Sequence, residues 1–157
     1  MNGFPETLQQ VPYTARNQPP ITNRAPIPFQ VTNTNIPGIR LSQARDRVFL
    51  QQNLLGGGQT LQIPHRAKIS IRIQPLGYRL FGPQRRLPAG CTLAQLAELV
   101  ALAVNDFIND VTGQAPQGGR RFGPGYLQLE DLVLVELVPV SPASYQPVLL
   151  VVPRAQS

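Results

Sequence analysis

Histidine, cysteine and tryptophan are almost absent from this sequence, and each scarcity closes off a class of function. Cys91 is the only cysteine, so no disulfide forms within the chain and a disulfide-stapled scaffold is excluded. His65 is the only histidine. A nucleophilic triad needs a base beside its Ser or Cys, which leaves His65 with Cys91 or a serine as the one histidine-based option. One Cys and one His do not make a zinc site. Tryptophan is missing and aromatic residues are 6%, few for a surface that stacks on bases. Charged residues are 14%, against roughly 25% in ordinary soluble proteins. No apolar run reaches the ~18 residues that span a bilayer. The opening Met-Asn-Gly-Phe-Pro-Glu lacks the basic and apolar parts of a secretion signal. The expectation is a chain made in a reducing cytoplasm, neither secreted nor membrane-spanning.

What is plentiful points to β structure. Seventeen prolines and thirteen glycines punctuate 157 residues. Each proline removes a donor and fixes φ, which suits loops, strand ends and extended arms and disfavours a helical bundle. The length fits one domain with its own core. The net charge of +6 is unevenly placed: residues 1–90 carry +9 and residues 91–157 carry −3. Such asymmetry fits a basic face for nucleic acid or anionic lipid, or a basic half of one copy meeting the acidic half of the next. Thirteen of the fourteen basic residues are arginine, the cation favoured at interfaces, though a GC-rich genome produces the same bias.

Residues 1–27 read as an extended, proline-rich N-terminal arm, followed by a single β-barrel domain over 28–157. Apolar side chains recur through the first forty residues, too often for a plain linker, so the arm is expected to lie on a surface of its own barrel or a neighbour's. A first strand is expected near Phe29–Thr34, short strands at Val48–Gln51 and Thr60–Ile63, and a clear one at 67–74. There Ala67, Ile69, Ile71 and Ile73 alternate with Lys68, Ser70, Arg72 and Gln74, a half-buried strand with a basic outer face. Leu76, Tyr78 and Leu80 continue the alternation. One helix is predicted over 92–112, opened by a Thr92–Gln95 capping box and closed by Gly113. Its apolar stripe runs through Leu96, Val100, Val104 and Phe107. Leu102 stands on its polar face, with Leu99 at the edge. Apolar residues on both faces of 126–140 predict a strand buried on both sides. A last strand is expected at Val148–Val152, with Pro147 starting it at an edge.

Little in the chain carries chemistry. Cys91 precedes the helix start, where a dipole lowers a thiol pKa, but a small buried residue is the commoner case. Pro64 and Arg66 place His65 in a turn as a structural or solvated group. Neither glycine stretch matches a phosphate-loop or dinucleotide fingerprint. Arg85–Arg86 and Arg120–Arg121 are candidate contacts for an anion, lipid or nucleic acid, weighed against ordinary solvated loop charge. Phe4, Leu8, Tyr13, Ile21, Phe29, Leu99 and Leu102 are candidate interface residues. No cofactor, metal or small-molecule substrate is indicated.

These elements predict a mainly β fold, a jelly-roll or β-sandwich barrel with one inserted α-helix. The arm ending near Pro28–Gly38, the alternating strand Ala67–Gln74, the helix Thr92–Thr112 and the apolar strands Tyr126–Val152 together resemble the single-barrel major capsid proteins of tailless, membrane-containing icosahedral bacteriophages of the Thermus-phage type. The resemblance covers most of the chain through organisation and composition, without a diagnostic motif. It implies a virion protein, not an enzyme, assembled in the host cytoplasm into dimers and then capsomers. It also implies a second capsid protein as partner and a basic half towards the internal viral membrane. On that reading, removing residues 1–27 weakens oligomers and leaves the barrel folded. The rival readings are a nucleic-acid-binding module using Arg85, Arg86, Arg120 and Arg121, and a phage tail, neck or decoration protein. An enzyme with His65 as base comes third.

Overall fold

A computed structural model describes residues 6–13, 24–61 and 68–152. The architecture is mainly β. Seven strands form one mixed sheet, joined by three helices among the described residues. The strands are β1 (Glu6–Thr7), β2 (Ile27–Pro28), β3 (Ile39–Arg40), β4 (Lys68–Ile71), β5 (Gln84–Arg86), β6 (Leu132–Ser141) and β7 (Ser144–Val151). The helices are α1 (Leu41–Ala44), α2 (Arg47–Asn53) and α3 (Leu93–Val111).

The β6–β7 hairpin is the spine, pairing Leu134 with Leu149 and Val138 with Gln146. Both outer edges of this hairpin are shared. β2 and β3 lie one after the other along β6. Along β7, β4 runs parallel, pairing Ile71 with Tyr145, and β1 runs antiparallel, pairing Thr7 with Leu150. β5 closes the order on the far side of β4. Because neighbouring strands place paired residues on one face, Ile69, Ile71, Leu134, Tyr145 and Leu149 share the core face. Lys68, Ser70, Ser144, Gln146 and Val148 share the other.

The core face is covered by α3. Its predicted stripe is buried throughout: Leu96, Ala97 and Val100 have no exposed surface and Phe107 only 1%. Phe107 sits in an edge-on aromatic cluster, 5.2–5.7 Å from Phe122, Tyr78 and Phe81, geometry in which ring edges meet ring faces. The capping box forms as expected, with Thr92 Oγ1 accepting the Gln95 N–H at 3.2 Å and Gln95 Oε1 accepting the Thr92 N–H at 2.9 Å.

Several expected boundaries moved. Residues 48–51 are helical, not a strand, because the Asp46 carboxylate accepts the N–H groups of Val48 and Phe49 at 3.0 and 3.2 Å and caps α2. The alternation of 69–73 does not run on through Leu76–Leu80. Gly77 at φ +90° turns the chain, and Ile73 bridges back to Phe81. The long strand begins at Leu132, after a 3-10 turn at Leu129–Asp131 in which Asp131 accepts the Gln128 N–H at 2.8 Å. In place of the strand expected near Phe29–Thr34, β2 covers Ile27–Pro28, and Asn33 turns away at φ +61°. Thr60 makes a single bridge to Thr92. Residues 62–67 lie outside the described residues.

Pro147 sits in the central strand β7, not at a strand start on an edge. Its position explains why it is tolerated. It falls between the stretch of β7 that pairs with β4 and the stretch that pairs with β1, so its missing N–H breaks no ladder bond. Its carbonyl accepts Gln10 Nε2 at 2.6 Å.

Candidate interaction surfaces

Residues 6–13 are built into the subunit's own sheet. Leu8 is 5% exposed within the core cluster, and its N–H donates to the Leu149 carbonyl at 2.8 Å. Further along, Gln146 holds the segment from both sides: its Oε1 accepts the Tyr13 N–H at 3.0 Å and its Nε2 donates to the Val11 carbonyl at 2.9 Å. Glu6 pairs with Arg120. Leu8, and likewise Phe29 at 2% exposure, belong to this subunit's core and are not surface anchors. Tyr13 is half-buried, with the Arg72 guanidinium 4.6 Å from its ring centroid. Leu99 and Leu102 are half-buried on α3. Phe4 and Ile21 lie outside the described residues.

The arginine candidates are not brought together. Arg85 crosses to α3 and pairs with Asp106. Arg120 is held by Glu6, and Arg121 stacks on Tyr126 at 4.4 Å from its ring centroid. Arg86 is exposed, and no partner for it is found among the described residues. It stands directly opposite Lys68 in the β4–β5 ladder. Arg72 lies on the same face, two positions beyond Ser70, with its Nε donating to Ser144 Oγ at 3.3 Å. The basic outer face expected from the alternation of residues 68–74 is therefore present, and of the four arginines of the two pairs it recruits Arg86 alone.

The three largest apolar exposures lie elsewhere, with smaller ones at Tyr126, Leu80, Val11 and Leu76. Val48 is 61% exposed, Leu55 60% and Ile36 49%. They surround α2 and the loop before β3, where a groove of about 270 Å³ is lined by Ile36, Phe49, Val133 and Val152. A second groove of about 670 Å³ separates α2 from α3, with Leu50, Leu99 and Pro88 in its wall and the Arg47–Glu98 ion pair, 3.0 Å, across it. The sequence signal for these residues existed in part. An apolar residue just after an N-cap aspartate, as Val48 is after Asp46, lies on the first turn of a helix and need not be core, but reading 48–51 as a strand concealed it.

Cys91 is buried, and desolvation pushes its thiol pKa up, the opposite of what an attacking thiolate needs. His65 lies outside the described residues. Among the described residues no three His, Cys, Asp or Glu side chains gather as metal ligands, and no helix is long and apolar enough to cross a membrane. No protein-family model, curated protein or solved structure matches the chain.

Proposed function

We propose that this chain is a structural building block that self-associates, a capsid-type protein of a virion shell. The observation that carries this reading is the exposed apolar surface around α2. Three large apolar side chains, Val48 and Leu55 at either end of α2 and Ile36 in the loop before β3, stand at 49–61% exposure, and the grooves flanking α2 have leucine, phenylalanine and valine walls. Contiguous exposed apolar surface marks contact sites. A second copy is the occupant that fits a chain built for tiling. The contact surface is then centred on α2, with Leu99 across the neighbouring groove, and not on Leu8 and Phe29.

The finer architecture belonging to this reading is a jelly-roll variant. The seven-stranded sheet is one layer. The facing layer is α3, with the single bridges Thr60–Thr92 and Phe122–Leu127 as its remnant β pairs. A second capsid protein and an internal viral membrane are the further partners that the resemblance suggests. Light scattering after size exclusion, over a concentration series, tests the core of the proposal. Dimers or larger closed species are expected. A strict monomer at every concentration overturns it.

A further inference from the structure

The chain's carboxylates are mostly committed within the subunit. Glu6, Glu98 and Asp106 pair with Arg120, Arg47 and Arg85. Asp46 and Asp131 accept backbone N–H groups at the starts of α2 and the 3-10 turn. In the acidic half, residues 91–157, three of the six carboxylates are committed in this way. Meanwhile Lys68 and Arg86 face each other across β4–β5, an arrangement of like charges that destabilises a sheet unless something negative lies over it. Arg72 adds a third cation on that face, fixed by Tyr13 and Ser144. By strand register the nearest described carboxylate on the face is Glu136, on β6 beyond β7. The flanking stretches 14–23 and 62–67 contain Arg16, His65 and Arg66 and no Asp or Glu.

We propose that the outer face of β4 and β5 binds the phosphate backbone of a nucleic acid, with Lys68, Arg72 and Arg86 as the contacting cations. Phosphate contacts from Lys and Arg are insensitive to base sequence, and the positive field of a chain at +6 draws the polyanion in. Exposed Gln84, directly opposite Ser70 in the ladder, adds an uncharged donor beside Arg86. A membrane-surface site would instead combine its cations with apolar side chains that insert into lipid. Positions 68, 70, 72, 84 and 86 are all polar. This site is independent of the self-association surface around α2.

Fluorescence anisotropy with a labelled mixed-sequence DNA duplex, across a salt series, tests it. Wild type should bind at low salt, with log K falling linearly in log salt. Lys68→Gln/Arg86→Gln removes two phosphate contacts, which flattens that slope by about 1.8 at ~0.9 per contact and weakens low-salt binding at least tenfold. Both side chains face water, so its melting midpoint stays at the wild-type value. Lys68→Arg/Arg86→Lys restores the wild-type slope. Arg45→Gln/Arg121→Gln removes the same charge elsewhere and leaves the slope nearly unchanged. The proposal is overturned by any of three results: no binding at the lowest salt, an equal loss in both Gln double variants, or binding to anionic phospholipid vesicles without binding to DNA.

Discussion

Gly38 shows how closely a single position is specified. Its φ is +91°, and a Cβ added there would run into the Leu134 carbonyl and the Val133 side chain. Gly90 also has positive φ, +66°, but its Cβ would meet open space. Alanine at Gly38 combines backbone strain with collision against the central strand, and should cost about 3 kcal/mol. Alanine at Gly90 carries the strain alone, about 1 kcal/mol. Thermal melts of the two variants should separate accordingly, and equal losses would show that the β3 approach to β6 is looser than described. Two buried titratable groups make a second expectation at this scale. Burial raises the Cys91 thiol above its ordinary 9.0, and raises the Tyr78 phenol above 10.0 against the opposing pull of the Phe122 backbone and Arg121. Both are neutral when protonated, so the folded chain holds these protons more tightly than the unfolded chain does. Their contribution is complete below the unfolded pKa values and is lost as pH climbs past them. Denaturant titrations should find stability declining above about pH 9, with Cys91→Ala moving the onset towards the Tyr78 range.

At the scale of elements, the most legible was α3, whose cap, stripe and C-terminal glycine are all local signals and came out within a residue of Leu93–Val111. The core face of β4 was legible for the same reason, since period-two alternation needs no knowledge of partners. What failed depended on distant partners or on competing local chemistry. Apolar runs around 48–51 fit a strand until the Asp46 cap is recognised. Asp46→Ala should therefore cost about 1 kcal/mol and Asp46→Asn only a few tenths, a difference that equilibrium unfolding resolves. The arm is the instructive case. Nothing in residues 6–13 announces that Leu8 fills the core or that Gln10 caps the Pro147 carbonyl, 137 residues away. These contacts exist only once β7 is in place. Leu8→Ala should lose about 2–3 kcal/mol. Deleting residues 1–13 should lower the melting midpoint of the subunit itself, in contrast to the expectation that the barrel is indifferent to its arm. A deletion that melts like wild type would mean that β1 contributes nothing to the fold in solution.

Across the whole molecule, polar and apolar surface are sorted to different places. The outer face of β4–β5 carries cations with no ion-pair partner among the described residues, while the three most exposed apolar side chains lie at α2 and in the loop before β3. The charge asymmetry was visible in the sequence, but its meaning was not, because the sequence does not say which arginines are neutralised by Glu6, Glu98 and Asp106. The proposed self-association through α2 therefore has a specific signature. Hydrophobic contact dominates it, so raising salt should leave the associated mass unchanged or increase it, since salt screens charge pairs but not apolar burial. Val48→Asp/Leu55→Asp places two carboxylates in the contact. Both side chains are more than half exposed, so the subunit should keep its melting midpoint to within about 1 kcal/mol of stability. Its association should weaken by at least tenfold, read as a shift to monomer in light scattering. If the Asp variant assembles as the wild type does, while Lys68→Gln/Arg86→Gln falls to monomer, the contact between copies runs through the basic sheet face and the α2 surface serves another partner.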